Sequence, residues 1–153
     1  MNHQTLEQFY VIGIATRTCN QNGQAAVDIE ALWVKFWNEK IQEQIPNSIS
    51  EDIYAVYTNY ESDFNHPYTT IIGLQVSTLS DVPEGFVGIE IEKTNYQKFV
   101  SKGKMPEAVA KTWFEIWADD TLKRTYKADF TVHGKKYYDG ENAEVETFIA
   151  VEA

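Results

Sequence analysis

Hydrophobic residues in the first half of the chain change between the spacing of strands and the spacing of helices. Residues 6–18 are rich in β-branched and aromatic side chains, which predicts a first strand. Residues 52–60 and 69–78 predict two more strands, joined by a polar loop that contains Asp63. Between the first two strands, apolar residues recur on one helical face, and Pro46 is expected to end that helix. The residues of this face are Ile29, Leu32, Trp33, Phe36, Trp37 and Ile41.

The second half of the chain predicts the same order of elements. A short strand over 86–92 precedes another around 96–100, and Pro106 suits the first turn of a helix. The apolar stripe of this helix contains Val109, Trp113, Ile116 and Trp117. Strands at about 125–133 and 143–151 complete a second β-α-β-β module.

The two predicted helices carry similar tryptophan motifs. Trp33-x-x-Phe36-Trp37 is followed 80 residues later by Trp113-x-x-Ile116-Trp117. We interpret this match as a tandem repeat. The predicted fold class is therefore α+β, with two β-α-β-β modules related by pseudo-twofold symmetry inside one domain, residues 1–153. Module one covers about 5–80 and module two about 86–152, and a ligand cleft is expected between them.

Charge and cysteine content exclude several classes of protein. The 153 residues include 23 acidic and 13 basic side chains, for a net charge of −10. This balance argues against direct binding to nucleic acid or to an anionic membrane, both of which require clustered basic residues. Cys19 is the single cysteine, so no intrachain disulfide forms. The N-terminus lacks the features of a secretory signal and no stretch is apolar enough to span a bilayer, so we expect a cytoplasmic protein.

Motifs of the common catalytic classes are missing from the sequence. The three histidines do not have metal-ligand spacing, and there is no nucleophile elbow, Walker loop or dinucleotide-binding motif. We therefore expect no catalytic residue, no metal and no cofactor, although a pair of carboxylates could still support catalysis.

Aromatic and acidic side chains are the chemistry that remains. Aromatic residues make up 14% of the chain and either build the core or offer faces to a cationic ligand. Glu90 and Glu146 lie on strands where they face either solvent or the cleft. His133 shares a strand face with Asp129 and Thr131, and it is either a surface histidine or a functional one.

Several segments resemble the GyrI-like effector-binding domains found in AraC-type and other bacterial regulators. These segments are Trp113 to Trp117, Lys123 to Phe130 and Val145 to Val151. The resemblance to the stand-alone, integron-associated branch is closer, and it covers roughly residues 5–152. It rests on residues 53–63, Tyr68-Thr69, Gly73-x-x-Val76 and Pro83-x-Gly85.

The resemblance implies a duplicated β-α-β-β fold with a small-molecule pocket between the modules. In this family the pocket often takes lipophilic, frequently cationic, drug-like compounds among aromatic residues and a buried glutamate. That glutamate usually lies in an Asp-Phe-Glu-x-Tyr pattern, where this chain has Asp129-Phe130-Thr131-Val132-His133. Two alternatives follow. In one, Glu90, Glu146 or Asp129 supplies the negative charge in place of that glutamate. In the other, the ligand is neutral or forms hydrogen bonds with Thr131 and His133. The candidate ligand-binding residues are Trp33, Trp37, Tyr57, Tyr68, Glu90, Tyr96, Trp113, Trp117, Thr131, His133 and Glu146.

Three functions follow from these observations. The first is a non-enzymatic binding protein for a lipophilic small molecule. The second is a protein-interaction module of the gyrase-inhibitor type, and the third is a hydrolase of reactive small electrophiles. The repeat uses both predicted helices, so no helix-turn-helix fits the chain, and any DNA-binding part would belong to a separate regulatory or DNA-handling protein.

Overall fold

The computed structural model describes residues 3–62 and 66–152, so Asp63 of the predicted polar loop lies outside the described residues. These residues form eight strands and three α-helices. The strands are β1 (His3–Leu6), β2 (Phe9–Thr18), β3 (Ser48–Thr58), β4 (Tyr68–Val76), β5 (Val87–Ile91), β6 (Thr94–Lys102), β7 (Ala128–His133) and β8 (Glu144–Val151). The helices are α1 (Gln24–Asn38), α2 (Ile41–Gln44) and α3 (Glu107–Ala118).

All eight strands belong to one antiparallel sheet with the order β1-β6-β8-β7-β3-β4-β2-β5. The order is symmetric about its centre, since β5-β2-β4-β3 on one side corresponds to β1-β6-β8-β7 on the other. The halves join where β3 pairs with β7, with Ile53 opposite His133 and Tyr57 opposite Asp129. The α+β fold class predicted from the sequence is confirmed.

Two details of the first half differ from the prediction. The predicted first strand is two strands, β1 and β2, and β1 pairs with β6 in the other half of the sheet. The predicted helix ends at Asn38 instead of reaching Pro46, because Lys40 adopts a left-handed conformation with φ of 51°. Ile41 is buried as expected, but on the short helix α2.

Helices α1 and α3 pack on the same face of the sheet. Leu32 and Phe36 of α1 are buried against a cluster that includes Ile12 and Ile53. Ile116 of α3 is buried against Ile149 and Val151 of β8. Each fully buried apolar side chain of this size contributes about 1.5–3 kcal/mol to folding. None of the described helices has both the length and the apolarity needed to cross a membrane.

The opposite face of the sheet is curled around a second aromatic core. Phe9 on β2 and Phe130 on β7 have ring centroids 5.2 Å apart, although β3 and β4 lie between their strands. In a flat sheet these strands would be separated by about 14 Å, three times the usual spacing. The sheet therefore curves around this face, and its two central strands β3 and β7 lie at the middle of the curve, with buried side chains on the helix side as well.

Candidate ligand-binding groove

The space above β3 and β7, between α1 and α3, is called the central groove here. Helix α1 packs mainly over β2 and β4, and α3 packs mainly over β6. The two central strands lie between the helices and are covered from above by side chains that reach in from both. Side chains alternate across a strand, so Ala55 and Tyr57 of β3 face the helices together with Asp129, Thr131 and His133 of β7. Ala55 lies directly opposite Thr131, which gives the floor of the groove two small residues at its centre.

Two pairs of aromatic rings cross the groove from opposite sides. Trp33 on α1 contacts His133 on β7, with ring centroids 5.0 Å apart. Trp113 on α3 contacts Tyr57 on β3, with centroids 5.2 Å apart. Both pairs have the edge-to-face geometry that aromatic rings prefer. Each helix therefore contacts a strand from the other half of the sheet, as the internal repeat of the sequence would produce.

The second tryptophan of each helix extends the aromatic wall toward the surface. Trp37 stacks against Trp33 at 6.1 Å, and Trp117 lies 6.2 Å from Trp113. Trp37 is 43% exposed, so this wall reaches solvent. The structure therefore brings all four tryptophans to the borders of one groove.

Two polar side chains of the floor form a hydrogen bond. Thr131 Oγ1 lies 2.9 Å from His133 Nε2. His133 is only 7% exposed, so it is not a surface histidine. Burial lowers the pKa of His133 to about 4 and raises the pKa of Tyr57 to about 12, so both side chains are uncharged at neutral pH.

Tyr68 closes the groove beside Tyr57. Its ring lies 6.2 Å from that of Tyr57 and stacks on Tyr60 at 5.5 Å. The Tyr68 hydroxyl donates a hydrogen bond of 2.6 Å to Oδ1 of Asn20, in the segment just before α1. A buried hydroxyl requires a hydrogen-bond partner, and Asn20 is that partner for Tyr68. The bond therefore fixes the position of the Tyr68 ring beside Tyr57.

Asp129, the candidate that lies nearest to the groove floor, already has three partners. It accepts hydrogen bonds from Arg124 Nη2 at 2.7 Å, from the Tyr60 hydroxyl at 2.7 Å and from the Ala150 N–H at 2.8 Å. Both ions of the Arg124–Asp129 pair are buried. Sequence reasoning missed Arg124 because the segment between α3 and β7 has no periodic pattern.

Three of the predicted ligand-binding residues lie away from the groove. Glu90 is exposed on the edge strand β5, and Glu146 lies on the opposite face of the sheet, paired with Lys98 at 2.9 Å. Tyr96 is buried on that same opposite face against Phe130. Alternation along a strand shows which residues share a face, but it does not show which face the helices cover. We therefore leave these three residues out of the candidate site.

Tyr137 is a groove residue that the sequence did not indicate. It follows β7 in a 3₁₀ turn, and its ring lies 4.9 Å from that of His133. Tyr137 also lines a surface depression of about 420 Å³, together with Tyr138 and Lys104. This depression lies beyond Tyr137 and not over the crossed aromatic pairs, which fill the groove with their own rings.

Comparison with known proteins finds relatives that match nearly the whole chain. The YobU protein of Bacillus subtilis (strain 168), named "Putative transcriptional regulator protein YobU", is 28% identical over 99% of this chain and 96% of its own length. The integron cassette protein VCH_CASS2 from the mobile metagenome of Vibrio cholerae is 29% identical. Its structure matches with a TM-score of 0.76 over 99% of this chain and 95% of that one.

A third match shows how far the fold extends beyond recognisable sequence similarity. The structure of SAV2435 bound to tetraphenylphosphonium has a TM-score of 0.82 at 16% identity, covering 99% of this chain and 93% of that one. The model of one family, described as "Cass2: Integron-associated effector binding protein", matches residues 4–151. The chain therefore belongs to the Cass2 family of integron-associated effector binding proteins, in agreement with the resemblance found in the sequence.

Proposed function

We propose that the protein binds a lipophilic small molecule in the central groove, between the tryptophans of α1 and α3. The observation that carries this proposal is the pair of crossed contacts, Trp33 with His133 and Trp113 with Tyr57. Between these contacts, the described residues of the groove floor include the small side chains Ala55 and Thr131, which lie opposite each other, so an aromatic ligand has room on the floor once the rings part. The likeness to SAV2435, whose structure holds tetraphenylphosphonium, supports a lipophilic ligand.

Burial of apolar surface provides the free energy for binding in such a groove. A ligand of drug-like size that buries about 300–400 Å² of apolar surface gains about 7–10 kcal/mol at 25 cal/mol per Å². The loss of translational and rotational freedom removes about 4 kcal/mol or more of this gain. A remainder of about 3–6 kcal/mol corresponds to dissociation constants from millimolar to tens of micromolar.

A regulatory role would require a second macromolecule. Helices α1 and α3 both pack on the sheet through their buried faces, Leu32 and Phe36 in one and Ile116 in the other. In this proposal the two helices border the effector site. A separate regulatory or DNA-handling protein then distinguishes the ligand-bound form from the ligand-free form.

Titration of intrinsic tryptophan fluorescence with a panel of cationic and neutral aromatic compounds tests the proposal. We expect saturable quenching by some members of the panel, because the four tryptophans border the site. Trp33→Ala and Trp113→Ala should each weaken binding by about tenfold or more, measured by calorimetry. Val34→Ala, on the exposed side of α1, is the matched control and should leave affinity unchanged.

Two results would count against a ligand site in the groove. One is the absence of saturable binding across the whole panel. The other is binding that Trp33→Ala and Trp113→Ala leave intact while circular dichroism shows both variants folded.

A further inference from the structure

The floor of the central groove offers hydrogen-bonding atoms but no uncompensated charge. On the helix side of β7, the three positions are Asp129, Thr131 and His133. Asp129 is paired with Arg124 and is fully buried, so its charge is balanced within the protein. Thr131 is neutral, and His133 is uncharged at neutral pH because burial disfavours its protonated form.

His133 has one ring nitrogen in use and one without a protein partner. Nε2 lies 2.9 Å from Thr131 Oγ1, whereas Nδ1 is buried and has no hydrogen-bond partner among residues 3–62 and 66–152. A buried polar atom without a partner destabilises the folded state. A group that binds in the groove and pairs with Nδ1 would remove that destabilisation.

The proton positions leave Nδ1 in need of a partner in either tautomer. If Thr131 donates its hydroxyl proton to Nε2, Nδ1 carries the ring proton and needs an acceptor. If Nε2 carries the proton and donates to Thr131, Nδ1 is a lone-pair acceptor and needs a donor. Thr131 can serve both arrangements because a hydroxyl both donates and accepts. A ligand hydroxyl satisfies Nδ1 in both cases.

We propose that the ligand of this groove is an uncharged aromatic molecule whose hydroxyl or similar polar head forms a hydrogen bond with Nδ1 of His133. This inference rests on the proposed function, since it assigns a chemical class to the ligand of the same groove. The aromatic part lies between Trp33 and Trp113, and the polar head points along β7 toward His133 and Tyr137.

Carboxylates near the groove do not favour a cationic ligand. Glu30 and Glu115, the acidic residues close to the tryptophans on α1 and α3, are exposed to solvent. Asp52 lies near Gly134 at the end of β7, but strand alternation places it on the same face as Tyr54, away from the helices. An exposed carboxylate is screened by water and salt, so it contributes little to binding.

Three probes that share the same triphenyl body test the proposal. Triphenylmethanol is neutral and has a hydroxyl head, triphenylmethane is neutral without a polar head, and methyltriphenylphosphonium is a cation. Their affinities are measured by tryptophan fluorescence at about 0.15 M salt, where long-range attraction to the acidic surface is screened. We expect triphenylmethanol to bind more tightly than the phosphonium cation.

His133→Phe isolates the role of Nδ1 because phenylalanine retains the ring that packs on Trp33 and Tyr137. The ratio of triphenylmethanol to triphenylmethane affinity should fall about tenfold in this variant, since only the alcohol loses a hydrogen bond. His133→Asn, which keeps a hydrogen-bonding group close to the position of Nδ1, should restore part of the ratio. Thermal unfolding by circular dichroism checks that both variants are folded.

The possible outcomes separate this inference from the proposed function. If the probes bind but His133→Phe leaves the affinity ratio unchanged, or if the phosphonium cation binds most tightly, the uncharged ligand class is overturned and the groove remains a binding site. If the three probes and the wider panel all fail to bind, both proposals fail.

Discussion

Replacing Asp129 by asparagine should destabilise the protein strongly. The side chain of Asp129 is 0% exposed and that of Arg124 is 5% exposed, so this pair lies outside the reach of solvent. Asparagine keeps the shape of the side chain but removes the charge that balances Arg124. It also has one oxygen in place of the two that now accept hydrogen bonds from Arg124, Tyr60 and the Ala150 N–H.

The expected loss follows from leaving a buried guanidinium without a counter-charge. Removal of one partner of a buried ion pair costs about 3–5 kcal/mol. The free energy of unfolding of a typical domain is about 5–15 kcal/mol, so Asp129→Asn would remove a large fraction of it. In a chain of this length, such a loss corresponds to a fall in the midpoint of thermal unfolding of roughly 10 °C.

Urea denaturation followed by tryptophan fluorescence gives the free energy of unfolding. Asp81→Asn, at an exposed position, is the matched control and should change that free energy by less than about 0.5 kcal/mol. The double variant Arg124→Met with Asp129→Asn should be less destabilised than Asp129→Asn alone, because it also removes the buried guanidinium that Asp129→Asn leaves without a counter-charge. A cost below about 1 kcal/mol for Asp129→Asn would refute the reasoning.

Two other predictions concern stability. The pKa of His133 is about 4 in the folded protein and about 6.5 when unfolded, so the unfolded chain binds more protons between these values. Stability should therefore fall by about 2–3 kcal/mol between pH 7.5 and 4.5, and this contribution should vanish in His133→Phe; equal pH profiles for both proteins would contradict it. A Cβ on Gly73 would overlap the backbone carbonyl oxygen of Ile12, so Gly73→Ala should cost about 2–3 kcal/mol in the same urea assay. Gly88→Ala, where the new Cβ meets only side chains at 3.0 Å, should cost less, and an equal cost would argue against backbone crowding.

The repeat of Trp33 and Trp113 made much of the fold predictable. Helical spacing around these residues placed one helix in each half, and strand alternation correctly put Asp129, Thr131 and His133 on a shared face. These features are local, since they depend on the period of 3.6 or 2 residues within one element. The pairing of β1 with β6 was not predictable, because β1 is an exposed polar strand and its sequence does not indicate which strand it pairs with.

The candidate site was predictable where aromatic residues repeat and not where contacts depend on the whole sheet. Trp33 and Trp113 lie at the groove, and their role in ligand binding stays a prediction. Glu146 falls on the opposite face of the sheet, because the sequence does not show which face the helices cover. Arg124 and Tyr137 lie in irregular segments, and only the folded chain brings them to Asp129 and His133.

The central claim is that a ligand lies between the two helices, and the indole N–H signals of the protein test it directly. The chain has four tryptophans, all at the groove, so a ¹⁵N–¹H spectrum with each signal assigned by Trp→Phe substitution reports on the site. On titration with triphenylmethanol, we predict that the signals of Trp33 and Trp113 shift most and saturate together. Unchanged indole signals, with shifts confined to the backbone around the depression lined by Tyr138, would contradict the account.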